Sequence, residues 1–302
     1  MSDTAPKSSA MLIGFPDTAS TVEALAGACG ISCETIELRR FPDGESYVRN
    51  PAALPDHVVI FSSLHGGNDR LVELMLSART ARRAGVKRLS LLAPYLCYMR
   101  QDNDFNPGEA VSQTIVGEWF AGLFDDLLTI DPHLHRVGEL ANAMPVSNTC
   151  TLTASGVISD FLATRVPDDA LILGPDAESE QWAKQIAAPR SMEYAISLKT
   201  RHGDRDVDVD VPEIDITDRD VVLIDDISST GNTLIQAARQ LEGKGARHVY
   251  AIVTHALLDE AAMQAMHEAG IEKIWSTDTI PHPTNVVSVE PVLHQALQTL
   301  LS

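Results

Sequence analysis

The sequence predicts an α/β fold of two related domains, each with a mainly parallel central sheet flanked by helices. Three observations carry this reading. Apolar, β-rich runs alternate with helical patterns, the order that yields parallel strands joined by helical crossovers. The segment GVKRLSLLA (85–93) aligns without a gap on GARHVYAIV (245–253), and each follows a strand, a loop and a helix of similar length, the mark of a weak internal duplication. The stretch SNTCTLTAS (147–155) is polar and small, as a junction would be, and divides the chain into domains 1–152 and 153–302. At 302 residues and 44% hydrophobic, the chain can fill two cores.

The elements follow in order. HVVIFSSL (57–64) reads as a buried strand, and NDRLVELMLSARTARRAG (68–85) as a helix with an asparagine start and a glycine stop. RLSLLAPYL is the next strand. In the second half, 221–224 reads as strand, 233–241 as helix, Gly245 as stop and 248–253 as strand. One segment departs from this alternation. In SLKTRHGDRDVDVDVPEIDITDRD (197–220), DVDVDV has period two, so its aspartates share one face and its valines the other. His202-Gly203-Asp204 suits a hairpin tip, which makes the segment an extended flap with Lys199 and Arg201 on one side of its first strand. An edge hairpin protected by charge would look the same.

Lys+Arg 23 against Asp+Glu 42 gives a net charge of -19, which argues against non-specific binding to nucleic acid. It does not argue against phosphate ligands, because a few placed cations and Mg²⁺ hold those on an acidic protein. The N-terminal MSDTAPKSSAMLIGF lacks the pattern of a signal peptide, and no window approaches a membrane span, so the expected location is the cytoplasm, without a membrane partner. Of Cys29, Cys33, Cys97 and Cys150, only the first two are close, with no second ligand pair. Reduced structural thiols are expected rather than zinc.

The stretch VVLIDDISSTGNTLIQAARQL (221–241) concentrates the chemistry. A strand runs into two aspartates, then into a loop of small and hydroxylated residues, then into an amphipathic helix. Such a loop at a helix N-terminus is an anion site. Ser228, Ser229, Thr230 and Thr233 offer hydroxyls, and Gly231 the backbone freedom to wrap a phosphate. Asp225 and Asp226 suit the vicinal hydroxyls of a sugar, or a Mg²⁺ held by them. One loop would thus hold both ends of a ribose 5-phosphate. An ordinary N-cap cluster after a strand is the plain alternative.

This pattern resembles the ribose-phosphate loop of phosphoribosyltransferases and of the ribose-phosphate pyrophosphokinases (PRPP synthetases). Further stretches, in order, resemble the pyrophosphokinases in particular: RRFPDGESYVR (39–49) their adenine-binding segment, APYLCYMRQD (93–102) their nucleotide-contacting strand end, and TIDPHLH (129–135) and GPDAESEQWA (174–183) their metal-site segments. STDTIPHP (276–283) matches a segment near their C-terminus. RQDNDFNPGE looks closer to the shorter, archaeal-type members. The resemblance implies two phosphoribosyltransferase-like domains and transfer of the β,γ-diphosphoryl group of ATP to the C1 hydroxyl of ribose 5-phosphate. It implies ATP contacts from Phe41, Asp43, Glu45, Arg100, Gln101 and Asp102, and Mg²⁺ held through His133 and Asp176. Lys199 and Arg201 match the catalytic pair. The family completes its ATP site across a subunit interface, which implies a homo-oligomer.

Each segment also has its own physical reading. Phe41, Asp43 and Glu45 offer an aromatic face and carboxylate acceptors, as a purine with an exocyclic amine requires, but PDGE also suits a type I turn. Arg100 and Gln101 after a strand can reach polyphosphate oxygens. There is no GxxxxGK[ST], so ATP would not be held as in P-loop enzymes. Two departures stand out. Asp176-Ala177-Glu178-Ser179-Glu180 replaces the glycine pair that members of the family usually carry after PD. Ser229 and Asn232 stand where many members have aspartate and glycine. The first departure would suit a non-catalytic regulatory paralogue; retention of Lys199, Arg201, Asp225 and Asp226 favours an enzyme. A phosphoribosyltransferase would need neither FPDGE nor RQD.

Overall fold

The computed structural model describes residues 10–134, 136–201, 207–210, 212 and 214–302. The chain divides into two compact units, Met1–Leu152 with Glu290–Ser302, and Thr153–Val289.

The first unit contains β1 (Ala10–Gly14), α1 (Ala19–Cys29), β2 (Ser32–Thr35), β3 (Glu37–Arg40), β4 (Ser46–Arg49), β5 (His57–Phe61), α2 (Gly67–Arg83), β6 (Arg88–Ala93), α3 (Ser112–Ala121), β7 (Asp126–Ile130), α4 (Leu140–Ala143) and β8 (Asn148–Leu152). Its main sheet has the order β2-β1-β5-β6-β7-β8, with every pairing parallel. The central strands are mostly apolar because both faces are covered. Val58, Val59, Ile60, Leu91 and Leu92 are fully buried. On α2, Leu71, Leu74, Ala78 and Ala81 recur at helical spacing and form its buried stripe. β3 and β4 form a separate antiparallel hairpin.

The second unit contains α5 (Ser155–Leu162), β9 (Leu171–Gly174), α6 (Glu180–Ala187), β10 (Tyr194–Ile196), β11 (Leu198–Arg201), β12 (Val207–Asp210), β13 (Asp220–Ser228), α7 (Asn232–Gly243), β14 (His248–Ala256), α8 (Glu260–Glu268), β15 (Ile271–Thr277) and β16 (Asn285–Val287). Its parallel sheet has the order β10-β9-β13-β14-β15-β16. Val221, Leu223, Ala251 and Val253 on one face of this sheet pack with Leu234, Ala238 and Leu241 of α7.

The aligned segments 85–93 and 245–253 therefore carry β6 and β14, and each of these strands is fourth in its sheet. Their leading glycines, Gly85 and Gly245, both have positive φ (95° and 82°). One assignment differs from the sequence order. The last helix, α9 (Glu290–Leu301), was expected to close the second domain, but it belongs to the first unit and packs against α1. It buries Leu293, Ala296 and Leu297, and a helix joins whichever unit covers its apolar stripe.

Candidate active site

The sugar-phosphate candidates lie at one corner of the second unit. β13 runs past Ile224, where the sequence suggested it would end, because β14 continues to pair with it through Ser228; the register places Asp225 beside Val253 and Ile227 beside His255. Asp225 and Asp226 are thus consecutive residues within the strand and point to opposite faces. Asp225 is half-buried, and its Oδ1 accepts the Asp226 N–H at 3.0 Å. Asp226 is enclosed, with Oδ1 accepting the Ile227 N–H at 2.7 Å. Burial first, then the charges of Asp226 and Asp176, push the Asp225 carboxyl well above the ordinary carboxylate range. A crowd of carboxylates of this kind is relieved by hydroxyl donors or by a cation.

The loop beyond turns on Gly231, whose φ of 68° is left-handed. A Cβ there would lie 2.8 Å from Met266 Sδ, so backbone and helix α8 approach too closely for any side chain. Gly231 caps α7 with no side chain, and its carbonyl accepts the Ile235 N–H at 2.8 Å. The first-turn amides of α7 therefore face outward at the positive end of the helix dipole, where a phosphate is stabilised. Ser229 is half-buried, Thr230 and Asn232 are exposed, and Thr233 is half-buried.

Asp176 follows β9 in the same unit. Its Oδ1 accepts the N–H groups of Glu178 (3.2 Å) and Ser179 (3.3 Å), while the Ser179 hydroxyl donates to the Asp176 carbonyl at 2.5 Å. The replacement for the glycine pair is thus a capping box that starts the turn into α6. Glu178 and Glu180 fall at the α6 N-terminus, where the helix dipole favours negative charge. In the flap, β11 pairs antiparallel with β12, with Lys199 opposite Val209 and Arg201 opposite Val207. The expected tip, His202 to Asp204, and also His135, lie outside the described residues.

The nucleotide candidates belong to the first unit. Between β3 and β4, the Gly44 N–H donates to the Phe41 carbonyl (2.9 Å) and the Phe41 N–H to the Glu45 carbonyl (2.8 Å), while Asp43 accepts the Glu45 N–H at 3.2 Å. A tight turn thus runs from Phe41 to Gly44, one residue before the PDGE turn expected from sequence. Phe41 remains 45% exposed, edge-on to Tyr47 with ring centres 6.1 Å apart. The hairpin is fastened to α2: Arg40 reaches Asp69 at 2.6 Å, the Ser46 hydroxyl donates to Glu73 at 3.2 Å, and Asn50 and Ser77 exchange hydrogen bonds of 2.9 and 2.7 Å.

At the end of the β6 segment, Arg100 is exposed, and Gln101 Nε2 donates to the Asn103 carbonyl at 2.8 Å. Asp102 is turned to Arg136, which donates to it at 2.7 Å; the Asp102 side chain is only 3% exposed. That pairing makes Asp102 a brace for the loop. Arg136 and Glu73 were not foreseen, because nothing local in the sequence links them to residues 34 and 27 positions away. His133 is half-buried after β7. Two non-glycine residues near these positions, Tyr98 (φ 61°) and Asp131 (φ 36°), hold left-handed backbones, and Tyr98 donates to Asn68. Such strain gathers at ligand sites.

Among the described residues, no three His, Cys, Asp or Glu side chains form a ready cage for a metal ion. The Asp225 carboxylate crowd nevertheless fits Mg²⁺, which binds through one or two carboxylates and keeps waters or substrate oxygens as its other ligands.

Fold and site together define an α/β protein of two units, each built on a parallel sheet flanked by helices. Residues 11–122 match the family described as the N-terminal domain of ribose phosphate pyrophosphokinase, and residues 177–301 match the phosphoribosyl synthetase-associated domain. A ribose-phosphate pyrophosphokinase of Methanopyrus kandleri is 36% identical over 268 residues, covering 88% of this chain and 90% of that protein. Ribose-phosphate pyrophosphokinase 1 of Archaeoglobus fulgidus is 35% identical, with 85% and 89% covered. The fold matches the crystal structure of phosphoribosylpyrophosphate synthetase from Mycobacterium smegmatis with a TM-score of 0.81 at 22% identity, covering 96% and 98% of the two chains. The chain belongs to the ribose-phosphate pyrophosphokinase family.

Proposed function

We propose that the chain is a ribose-phosphate diphosphokinase, a transferase that makes PRPP and AMP from ATP and ribose 5-phosphate. The observation that carries this reading is the β13–α7 corner, where half-buried Asp225 and the open amides behind Gly231 match the two ends of one sugar phosphate. Ser229, Thr230, Asn232 and Thr233 supply further polar contacts to the phosphate, and Asp226, enclosed behind the strand, holds its backbone. On the nucleotide side, exposed Phe41 stacks on the base, Asp43 and Glu45 offer acceptors, and Arg100 and Gln101 address phosphate oxygens.

Mg²⁺ fits the acidic corner. Asp176 would be a ligand there, and His133 is a separate candidate in the first unit; bound Mg²⁺ would keep waters or substrate oxygens as its other ligands and would supply neutralisation of polyphosphate charge. The C1 oxygen of the sugar attacks the β-phosphorus of ATP, the bond to the bridging oxygen of the α-phosphate breaks, and AMP leaves. Lys199 and Arg201 stabilise charge on the transferred group, and closure of their hairpin excludes water. A homo-oligomer completes the nucleotide site, with exposed Phe105 and Ile115 of the same unit as apolar surface for the partner. No described helix is long and apolar enough to cross a membrane, and we place the enzyme in the cytoplasm.

Phosphorus NMR with ATP, Mg²⁺ and ribose 5-phosphate tests this reading. AMP and PRPP appearing together support it. ADP means transfer of a single phosphoryl group, and bound sugar phosphate without turnover means a regulatory paralogue.

A further inference from the structure

Beneath the phosphate loop lies the segment that joins β14 to α8. The Leu257 N–H donates to the Ser228 carbonyl at 2.8 Å, at the point where β13 gives way to the loop. A Cβ on Gly231 would lie 3.6 Å from Leu258 Cδ2, so Leu258 and Met266 form the surface on which the glycine turns. Residues 256–258 are therefore the floor of the loop, and Asp259, which caps α8 by accepting the Ala262 N–H at 2.7 Å, anchors their far end.

One side chain from outside this segment grips it. His282, in the connection between β15 and β16, donates from Nε2 to the Leu258 carbonyl at 2.8 Å. Its Nδ1 lies 2.7 Å from Thr284 Oγ1 and accepts the Thr284 N–H at 3.3 Å. A carbonyl can only accept and a backbone N–H can only donate, so both contacts demand the same neutral tautomer, with the proton on Nε2. The connection is stiff. His282 lies between Pro281 and Pro283, each with φ fixed by its ring, and the residue before a proline is held extended. Thr284 is itself tied to Ser276 through the Ser276 N–H to its carbonyl (2.9 Å) and a hydroxyl pair (2.7 Å).

We propose that His282 is a positioning residue for the ribose-phosphate loop: through the Leu258 carbonyl it fixes the floor on which Ser228 to Gly231 rest, and so tunes affinity for the sugar phosphate without touching it. The proposal rests on the reading of that loop given under Proposed function. A histidine suits the task because a planar ring with a donor at one end and an acceptor at the other spans two loops with little rotamer freedom. Glutamine can place an N–H near the same carbonyl, whereas alanine leaves the Leu258 carbonyl without this donor.

The test compares wild type, His282→Ala and His282→Gln. Hydrogen exchange of the ligand-free protein is read over residues 228–233 and 256–259, and steady-state kinetics are run with each substrate varied in turn. His282→Ala should exchange faster in both stretches, with exchange in β9 and α5 unchanged, and its KM for ribose 5-phosphate should rise about tenfold, the size of one lost buried hydrogen bond. Its KM for ATP should stay within about twofold, and His282→Gln should recover most of both effects. Unchanged exchange in the loop, or parallel rises in both KM values, would overturn the proposal. If wild type does not turn over ribose 5-phosphate, the functional reading fails, and the exchange data still decide whether His282 holds the loop.

Discussion

Replacing Gly231 with alanine should damage the second unit and its sugar-phosphate site together. Two independent costs add. The left-handed backbone (φ 68°) costs a non-glycine residue about 1–2 kcal/mol. The new methyl would sit 2.8 Å from Met266 Sδ and 2.9 Å from its Cγ, and Met266 is fully buried, so it must move within a filled core at about 1–3 kcal/mol. The sum is about 2–5 kcal/mol, moderated because methionine is the most adaptable of core side chains. Denaturant unfolding in a Trp119→Phe background measures this. The remaining tryptophans, Trp182 and Trp275, are both in the second unit. The assay separates the two costs through a double-mutant cycle with Met266→Ala, which removes the steric conflict and leaves the backbone cost. The two changes should couple by at least about 1 kcal/mol, with Gly231→Ala milder in the Met266→Ala background. An effect of Gly231→Ala below about 0.5 kcal/mol, or strict additivity, would refute the packing argument.

Other outcomes follow from the same geometry. Arg136→Ala removes a guanidinium from the nearly enclosed Asp102, and should raise the KM for ATP several-fold in steady-state assays while leaving the KM for ribose 5-phosphate unchanged. Lys199→Ala or Arg201→Ala should lower kcat by about 10²- to 10³-fold in single-turnover assays, with substrate affinity little changed. Asp126 is buried, which alone would raise its pKa, but hydrogen bonds from Arg88, Ser90 and Asn148 outweigh this and hold it below the ordinary aspartate value of 3.8. The unfolded state therefore binds this proton more readily: the stabilisation is complete above about pH 4 and is lost as pH falls through the depressed folded value. Unfolding midpoints of wild type and Asp126→Asn should accordingly diverge at neutral pH and converge in acid. For Asp225, whose carboxyl is pushed up, the sign reverses. Its ionisation destabilises the fold as pH rises, so Asp225→Asn should raise the thermal midpoint of the ligand-free protein at pH 8 while abolishing turnover of ribose 5-phosphate.

Parts of this structure could be read from sequence because they are encoded locally. The apolar strands β5, β6, β13 and β14 declare themselves through composition, and the duplication places β6 and β14 at equivalent positions. The β13–α7 corner is likewise local: strand, glycine and helix start are consecutive, so spacing alone brings them together. What was not legible depends on contacts between distant residues. The Arg136–Asp102 pair and the fastening of the β3–β4 hairpin to Glu73 and Ser77 join segments that composition treats as separate loops. The placement of α9 in the first unit has the same origin, since an amphipathic stripe shows that a helix is covered but not by what. The Asp176–Glu180 departure suits a regulatory paralogue when read as sequence; in three dimensions it holds a self-contained capping turn, because the side chains of Asp176 and Ser179 each accept the other's backbone N–H.

The central claim is that the C1 oxygen of ribose 5-phosphate attacks the β-phosphorus of ATP. Ribose 5-phosphate carrying ¹⁸O at C1 tests it in one phosphorus NMR spectrum. The isotope should appear in the bridge between C1 and the diphosphate of PRPP, as an upfield shift of that phosphorus alone, with unlabelled AMP as the co-product. Loss of the label to solvent, or ADP in place of AMP, would contradict it.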